Sequence, residues 1–339
     1  MAQTLNGDPP AMLSGTGACG GDSIPVVDFD VLVKGSADER SQAIRDLGRA
    51  CDDWGIFMVI NHGVPEALKD AVMKECNELL SLPEEEKAEY LETSHLDPIH
   101  IGTALYPAGD GDRNLRYFFV KMFVHPEFHC PAKPEKLRDV AAQFATQTRG
   151  LMLQLTRAIS ESLALDGGRI PEALNLDNGF QKLILNHYPA DTGSNGVGSG
   201  IPSHTDNGLF TLIFENGVDG LQVQHNGQWI SAKLLPGAFF VLVSDQLEIV
   251  SNERYKAVMH RVVIGGEQAR TSILSMFAPG LDTVVEPVQE LAAGSQGQEF
   301  RGIKYQEYVT AHRQSKRAMG QTASAMDVVR AQVRAEQLI

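Results

Sequence analysis

Cysteine, tryptophan and positive charge are scarce in this chain, and long apolar runs are missing. The four cysteines, Cys19, Cys51, Cys76 and Cys130, are spread over 339 residues with neither zinc-ligand spacing nor a disulfide pattern, which fits a reducing compartment. Lysine and arginine number 29 against 43 aspartates and glutamates, a formal charge of −14, and no block of basic residues is dense enough to follow a phosphate backbone. Nucleic acid and anionic membrane are therefore excluded as expected partners. No segment reaches membrane-spanning length, and the opening "MAQTLNGDPP" lacks the basic start and apolar centre of a signal peptide. The expectation is a cytoplasmic, monomeric protein that works on a small molecule.

Residues 1–22, rich in Gly, Pro, Ser and Thr, read as a flexible arm. A helical and strand region is expected over 23–165. It opens on a short strand in "SIPVVDFDVL", followed by an amphipathic helix over 37–54 behind the capping pair Ser36 and Glu39. "IFMVI" then reads as a buried strand, residues 65–80 as a second helix, and about 135–165 as a long or broken one. From 166 to 300 the character changes to short β-rich segments separated by turn residues, with Asn226-Gly227 marking a hairpin. The predicted architecture is mainly β with flanking helices: an antiparallel jelly-roll or barrel core, closed by a helical tail over 301–339.

What the chain does hold is one suggestive stretch, "IPSHTDNGLF", where His204 and Asp206 stand two positions apart. If the segment begins a strand, both side chains point to the same face. A buried aspartate is costly unless it is paired or coordinated, so a third ligand is expected nearby. His260 in "KAVMHRVVI", an imidazole among aliphatic strand residues, is the candidate. Two histidines and one carboxylate leave open positions on an octahedral metal and suit non-haem Fe(II) oxygen chemistry. Taken singly, a His-x-Asp is common in loops and a strand histidine is most often part of the core. A second pair changes that weighting: Arg270 and Ser272 in "ARTSILSMF" again share one strand face. A guanidinium grips a carboxylate bidentately and a hydroxyl adds a donor, which suits the far end of a dicarboxylate whose near end chelates iron.

At these residues the chain resembles the plant-type soluble Fe(II)- and 2-oxoglutarate-dependent dioxygenases, relatives of isopenicillin N synthase. The motif reads His204-Thr205-Asp206, His260 and Arg270-Thr271-Ser272, and the likeness extends through "IPVVDF", "ACDDWGIFMVINHGVP" and the stretch from "GLQVQHNGQWI" to "KAVMHRVV". It implies a double-stranded β-helix, a distorted jelly roll, wrapped by the N-terminal helices and capped by the C-terminal one. It further implies Fe(II) as cofactor, 2-oxoglutarate and O2 as cosubstrates, and ascorbate as reductant. Succinate and CO2 would be coproducts of a hydroxylation or desaturation. In Asn186-His187-Tyr188-Pro189 it assigns the Tyr188 hydroxyl to 2-oxoglutarate, whereas His62 in "NHGVP" belongs to a structural turn.

The resemblance also touches the substrate. Tyr117 and Phe119 in "LRYFFVKMF" match an aromatic pattern that lines the substrate site in flavonoid-oxidising members, and Ile184, Phe210 and Met276 are expected as apolar neighbours. Such a pocket favours a flat hydrophobic phenolic over a small amino acid. The nearest branches by look are the flavonoid-oxidising and salicylate-hydroxylating ones, so a flavanone such as naringenin is the expected substrate. One departure is "ADTGSNGVGSG" after Pro189, where many flavonoid members carry Lys-Cys-Pro. A gibberellin, auxin or salicylate oxidase would keep the same motif, as would an ascorbate-using relative, and a non-catalytic sensor is the alternative of another class.

Overall fold

The computed structural model describes residues 23–317 apart from 92, 95–96, 108–113, 191–196 and 294–296, together with 325–326 and 329–330. The arm expected over 1–22, with Cys19, and most of the tail beyond 317 lie outside the described residues.

The chain opens with strand β1 (Val26–Asp28), helices α1 (Phe29–Lys34) and α2 (Ala37–Arg49), and strand β2 (Ile56–Ile60). Ser36 and Glu39 start α2 as a reciprocal capping box. A π-helical turn at Ala50–Trp54 ends the helix, and Gly55 reverses the chain at φ 64°. A Cβ at Gly55 would stand 3.0 Å from the Lys256 carbonyl oxygen and 3.1 Å from Val258 Cβ, so glycine is needed for conformation and closeness alike. That close approach sets β2 against the segment leading to His260. Next come α3 (Glu66–Ser81), α4 (Glu84–Leu91), the hairpin of β3 (Ile99–Pro107) with β4 (Asn114–His125), α5 (Leu137–Ser162) and α6 (Arg169–Ala173).

The rest is mainly strand: β5 (Phe180–Tyr188), β6 (Val197–His204), β7 (Phe210–Glu215), β8 (Leu221–His225), β9 (Gln228–Ser231) and β10 (Phe239–Val243), then, after α7 (Asp245–Val250), β11 (His260–Ile264) and β12 (Arg270–Ala278). Short α8 (Gln289–Ala292), the pair β13 (Val284–Val285) with β14 (Ile303–Lys304), and α9 (Tyr305–Arg317) complete it. Strands β1 to β12 join one sheet in the order β1-β2-β10-β7-β12-β5-β4-β6-β11-β8-β9, with β3 on β4. The N-terminal strands are thus part of the same sheet as the core. The pairing of β4 with β6 is parallel; past it, β6, β11, β8 and β9 turn their inner faces onto the longer layer. This is the expected jelly roll.

Strand alternation sorts the side chains into two cores. Phe239, Val241 and Val243 of β10, Leu212 and Phe214 of β7, and Ile273 and Phe277 of β12 pack outward with Val72, Cys76, Phe144 and Leu155 of the helices. Phe240, Leu242, Ile213, Tyr117, Phe119 and Tyr188 pack inward with Val223, Val262 and Ile264. Cys51 and Cys76 are buried and free, and burial pushes both thiols up, away from the reactive thiolate. Among the described residues, no helix is long and apolar enough to cross a membrane.

Phe144 pins α5 to the sheet, with ring centroids 5.8 Å from Phe214 and 6.3 Å from Phe239. Phe144→Ala is expected to destabilise the fold by about 3–5 kcal/mol through the cavity it leaves, read as a lowered urea midpoint. Because Phe144 lies on the helix-facing side, metal affinity of the folded fraction should be unchanged.

Candidate metal and cosubstrate site

His204 and His260 are brought together by backbone register. His204 ends β6, His260 begins β11, and the two are directly paired across the ladder, with a register shift before Val262. Asp206 stands just past the end of β6, so His-Thr-Asp closes a strand, where the sequence suggested that it opens one. Asp206 is steered back by its own carbonyl, which accepts the Asp245 N–H at 2.9 Å. One ligand atom from each of the three residues lies within 4.8 Å of the others. His204 Nε2 and His260 Nε2 are 3.7 and 4.0 Å from Asp206 Oδ1.

The hydrogen bonds around the triad show that it fits a metal. His204 Nδ1 donates to the Pro202 carbonyl at 2.8 Å and His260 Nδ1 donates to the Val258 carbonyl at 3.1 Å. A carbonyl can only accept, so both protons sit on Nδ1 and both Nε2 lone pairs face the shared centre. The Thr211 hydroxyl donates to Asp206 Oδ2 at 2.7 Å and so turns Oδ1 toward the imidazoles. Two imidazoles and one carboxylate oxygen on one side of the centre form the donor set of a non-haem Fe(II) site.

β12 and β5 bring together the residues expected from the sequence to bind the cosubstrate carboxylate. Arg270 pairs in register with Tyr188, and Ser272 with Asn186. Arg270 is 1 % exposed. Its Nη1 is 3.4 Å from Ser272 Oγ, and its guanidinium carbon lies 5.3 Å from the Tyr188 ring centre. Burial pushes the Tyr188 hydroxyl up to about 12, against the pull of Arg270 and of hydrogen bonds with Ser272 and Asn186, so it is a neutral donor. The sequence did not foresee Glu215, the last residue of β7. Its Oε2 accepts from Arg270 Nε at 3.1 Å and from Nη2 at 2.5 Å. Gly220 closes the other side: a Cβ there would stand 2.9 Å from Arg270 Cδ and 2.5 Å from Ile264 Cδ1.

A second group missed in the sequence ties α9 to the metal-binding loop. The Tyr308 hydroxyl donates to Asp245 Oδ2 at 2.8 Å, His312 Nε2 donates to the Thr205 carbonyl at 3.2 Å, and the Tyr305 hydroxyl lies 3.4 Å from Asn207 Oδ1. Burial pushes the Asp245 carboxyl up to about 7 despite hydrogen bonds with Thr205 and Tyr308. Polar residues at 305, 308 and 312, one helical face, were the available signal.

On the same inner face lies an aromatic wall. Tyr117 has its ring centre 5.6 Å from Tyr188, 5.9 Å from Phe119 and 6.3 Å from Tyr106. Burial, with the neighbouring Tyr106 and Tyr188 hydroxyls and the Asp206 carboxylate adding to it, holds the Tyr117 hydroxyl well above its usual range. Ile184 pairs with Leu274 and Lys182 with Met276 across the β5–β12 ladder, and Met276 Cγ would lie 3.0 Å from a Cβ at Gly208 in the metal loop. Phe210 is a correction. It packs in the helix-facing core, 6.0 Å from Phe277, because Thr211 faces Asp206 and a strand neighbour must then point the opposite way. His62 stays structural, with Nε2 2.7 Å from the Gly237 carbonyl.

Replacing His204, Asp206 or His260 by alanine is expected to abolish Fe(II) binding in calorimetry. Thr211→Val should keep the fold but weaken metal affinity by roughly 10- to 100-fold, the usual cost of losing a hydrogen bond to a liganding carboxylate.

Comparison with known proteins agrees with this geometry. The model for the 2OG-Fe(II) oxygenase superfamily matches residues 179–279, and that for the "non-haem dioxygenase in morphine synthesis N-terminal" matches 24–118. The chain is 57 % identical to 2-oxoglutarate-dependent dioxygenase 19 of Oryza sativa subsp. japonica over 91 % of its own length and 90 % of the relative's. It is 31 % identical to flavanone 3-dioxygenase 2 of the same plant, over 84 % and 82 %. The crystal structure of JOX2 in complex with 2OG, Fe and JA superposes with a TM-score of 0.77 at 26 % identity, covering 90 % of this chain and 88 % of that one. With the triad, the jelly roll and these likenesses in agreement, the chain belongs to the 2OG-Fe(II) oxygenase superfamily and is a dioxygenase that uses Fe(II) and 2-oxoglutarate.

Proposed function

We propose that this dioxygenase desaturates or hydroxylates a flat, hydrophobic aromatic molecule, with a flavanone such as naringenin as the first choice. The observation that carries this reading is the wall of Tyr106, Tyr117 and Phe119 beside the triad, continued by Ile184 and Met276. Stacked and tilted rings offer a planar ligand large contact area at little entropic cost, and the 31 % identity to a flavanone 3-dioxygenase supports the same class.

In this reading His204, Asp206 and His260 hold Fe(II), which activates O2 for substrate oxidation as 2-oxoglutarate is decarboxylated to succinate and CO2. Arg270 and Ser272 bind the distal carboxylate of 2-oxoglutarate, and the neutral Tyr188 hydroxyl donates to it. Tyr117 and Phe119 orient the substrate ring against the metal and keep bulk water off it. Cytoplasmic location and ascorbate as reductant belong to the same proposal, since the chemistry needs a reducing medium, and a monomeric state is proposed with them.

One observation favours a second reading, a hormone-like acid. Lys182 is half-buried on the same strand face as Ile184, its ammonium lies 4.9 Å from the Phe123 ring centre, and no carboxylate pairs with it among the described residues. Burial pushes its pKa down to about 8. A substrate carboxylate would supply the missing counter-charge. The JA-bound JOX2 structure is a likeness that supports it.

Succinate release from Fe(II) protein with 2-oxoglutarate and ascorbate, with and without naringenin, decides between them. Stimulation by naringenin, with product lighter by two hydrogens or heavier by one oxygen, supports the flavanone reading. Stimulation only by jasmonate, auxin or salicylate, with loss of that preference in Lys182→Met, replaces it by the second. Arg270→Lys should raise the 2-oxoglutarate KM at least about tenfold, because a compact point charge cannot reproduce the fixed planar donor geometry of the guanidinium.

A further inference from the structure

The guanidinium assigned to the cosubstrate is not waiting alone. Glu215 and Arg270 are cross-strand neighbours of β7 and β12, with side chains 3 % and 1 % exposed, and both Nε and Nη2 donate to Glu215 Oε2. Only the Nη1 side, near Ser272 Oγ, remains for another carboxylate. The charges then fail to balance. The buried Glu215–Arg270 pair is neutral, and a second carboxylate on the same guanidinium leaves two anions against one cation where water cannot screen them.

We propose that Glu215 is a positioning residue of the cosubstrate site: it fixes one edge of Arg270, aims the other at the distal carboxylate of 2-oxoglutarate, and takes up a proton when that carboxylate binds. The proposal rests on Arg270 being the distal-carboxylate group. The charged and titratable groups facing Glu215 are Arg270 from β12, Asp219 from the turn after β7, and Tyr188 of β5 through the guanidinium it underlies. Burial already holds the Glu215 carboxyl above the usual carboxylate range, Arg270 opposes this and Asp219 adds to it. An incoming anion raises it further. A protonated Glu215 still accepts from Arg270 through its carbonyl oxygen, so the edge stays fixed while the charge leaves.

The sign follows from linkage. Below the free-state pKa of Glu215 the proton is already present and 2-oxoglutarate binds at full affinity. Between the free-state and the liganded pKa, binding takes up a proton and affinity falls as pH rises, by at most about tenfold per pH unit. Above both, affinity is low and flat.

The test is calorimetry of 2-oxoglutarate binding to the anaerobic Fe(II) protein, from about pH 6 to about pH 8.5, in buffers of different ionisation enthalpy that report proton uptake. 2-Oxobutanoate, which keeps the metal-chelating end and lacks the distal carboxylate, serves as the control. Wild type is expected to take up a substantial fraction of a proton with 2-oxoglutarate and none with 2-oxobutanoate. Glu215→Gln should take up none with either, and should bind 2-oxoglutarate more tightly than wild type at the high end of the range. Unchanged 2-oxobutanoate affinity shows that the variant is folded and metal-loaded. Equal proton uptake in wild type and Glu215→Gln, or a flat wild-type profile, overturns the proposal. Equal affinity of wild type and Arg270→Met for 2-oxoglutarate would remove Arg270 from the cosubstrate site, and the proposal with it.

Discussion

Everything at this site depends on one backbone register, the pairing of His204 with His260 across β6 and β11. It sets two imidazoles side by side, and carbonyls of the same two segments fix their protons. Asp206 then needs only one turn beyond β6 to arrive, and the Thr211 hydroxyl selects which oxygen it offers. A slip of one residue in that pairing would send one histidine to the opposite face. The wide sheet and its helical backing hold the register against such a slip, since the inner and outer cores are both built from the same alternating strands.

The metal centre and the carboxylate group answer different physical problems. At the metal, unprotonated nitrogens and one oriented carboxylate create a demand for a cation. At Arg270 the structure meets a buried cation's demand from within, through Glu215, while Nη1 on its other edge faces Ser272 Oγ. Breaking a buried pair by removing one partner is expensive, so Glu215 keeps Arg270 both neutralised and aligned. The aromatic wall on the same inner face supplies area without charge.

Much of this was legible in the sequence because the chemistry sits on strands. Period-two spacing put Arg270 with Ser272 on one face, and the apolar surroundings of His260 marked it as an inward imidazole. The capping pair Ser36 and Glu39 announced α2 as it is found. Phe210 was assigned to the wrong face because parity along β7 needs a reference, and that reference, Thr211 against Asp206, exists only in three dimensions. Glu215 carries no sequence signal beyond a carboxylate at the end of a strand; only the β7–β12 register shows which buried cation it meets. Helix α7 escaped notice because "DQLEIV" follows a strand without a break signal and every one of its residues is buried. Hairpin partner β3, with Gly102 inside it, carries little strand pattern of its own and is held by β4.

The grip of α9 on the metal loop carries a consequence for how such chains diversify. Tyr305, Tyr308 and His312 reach Asn207, Asp245 and Thr205, so α9 is part of the loop's foundation. A tail exchanged between relatives would bring its own set of side chains to a loop shaped for these. Domain-swapped hybrids with a junction anywhere between β12 and α9 would inherit a mismatched floor beneath an intact set of ligands, and drift in the tail would have to be matched by drift around residue 206.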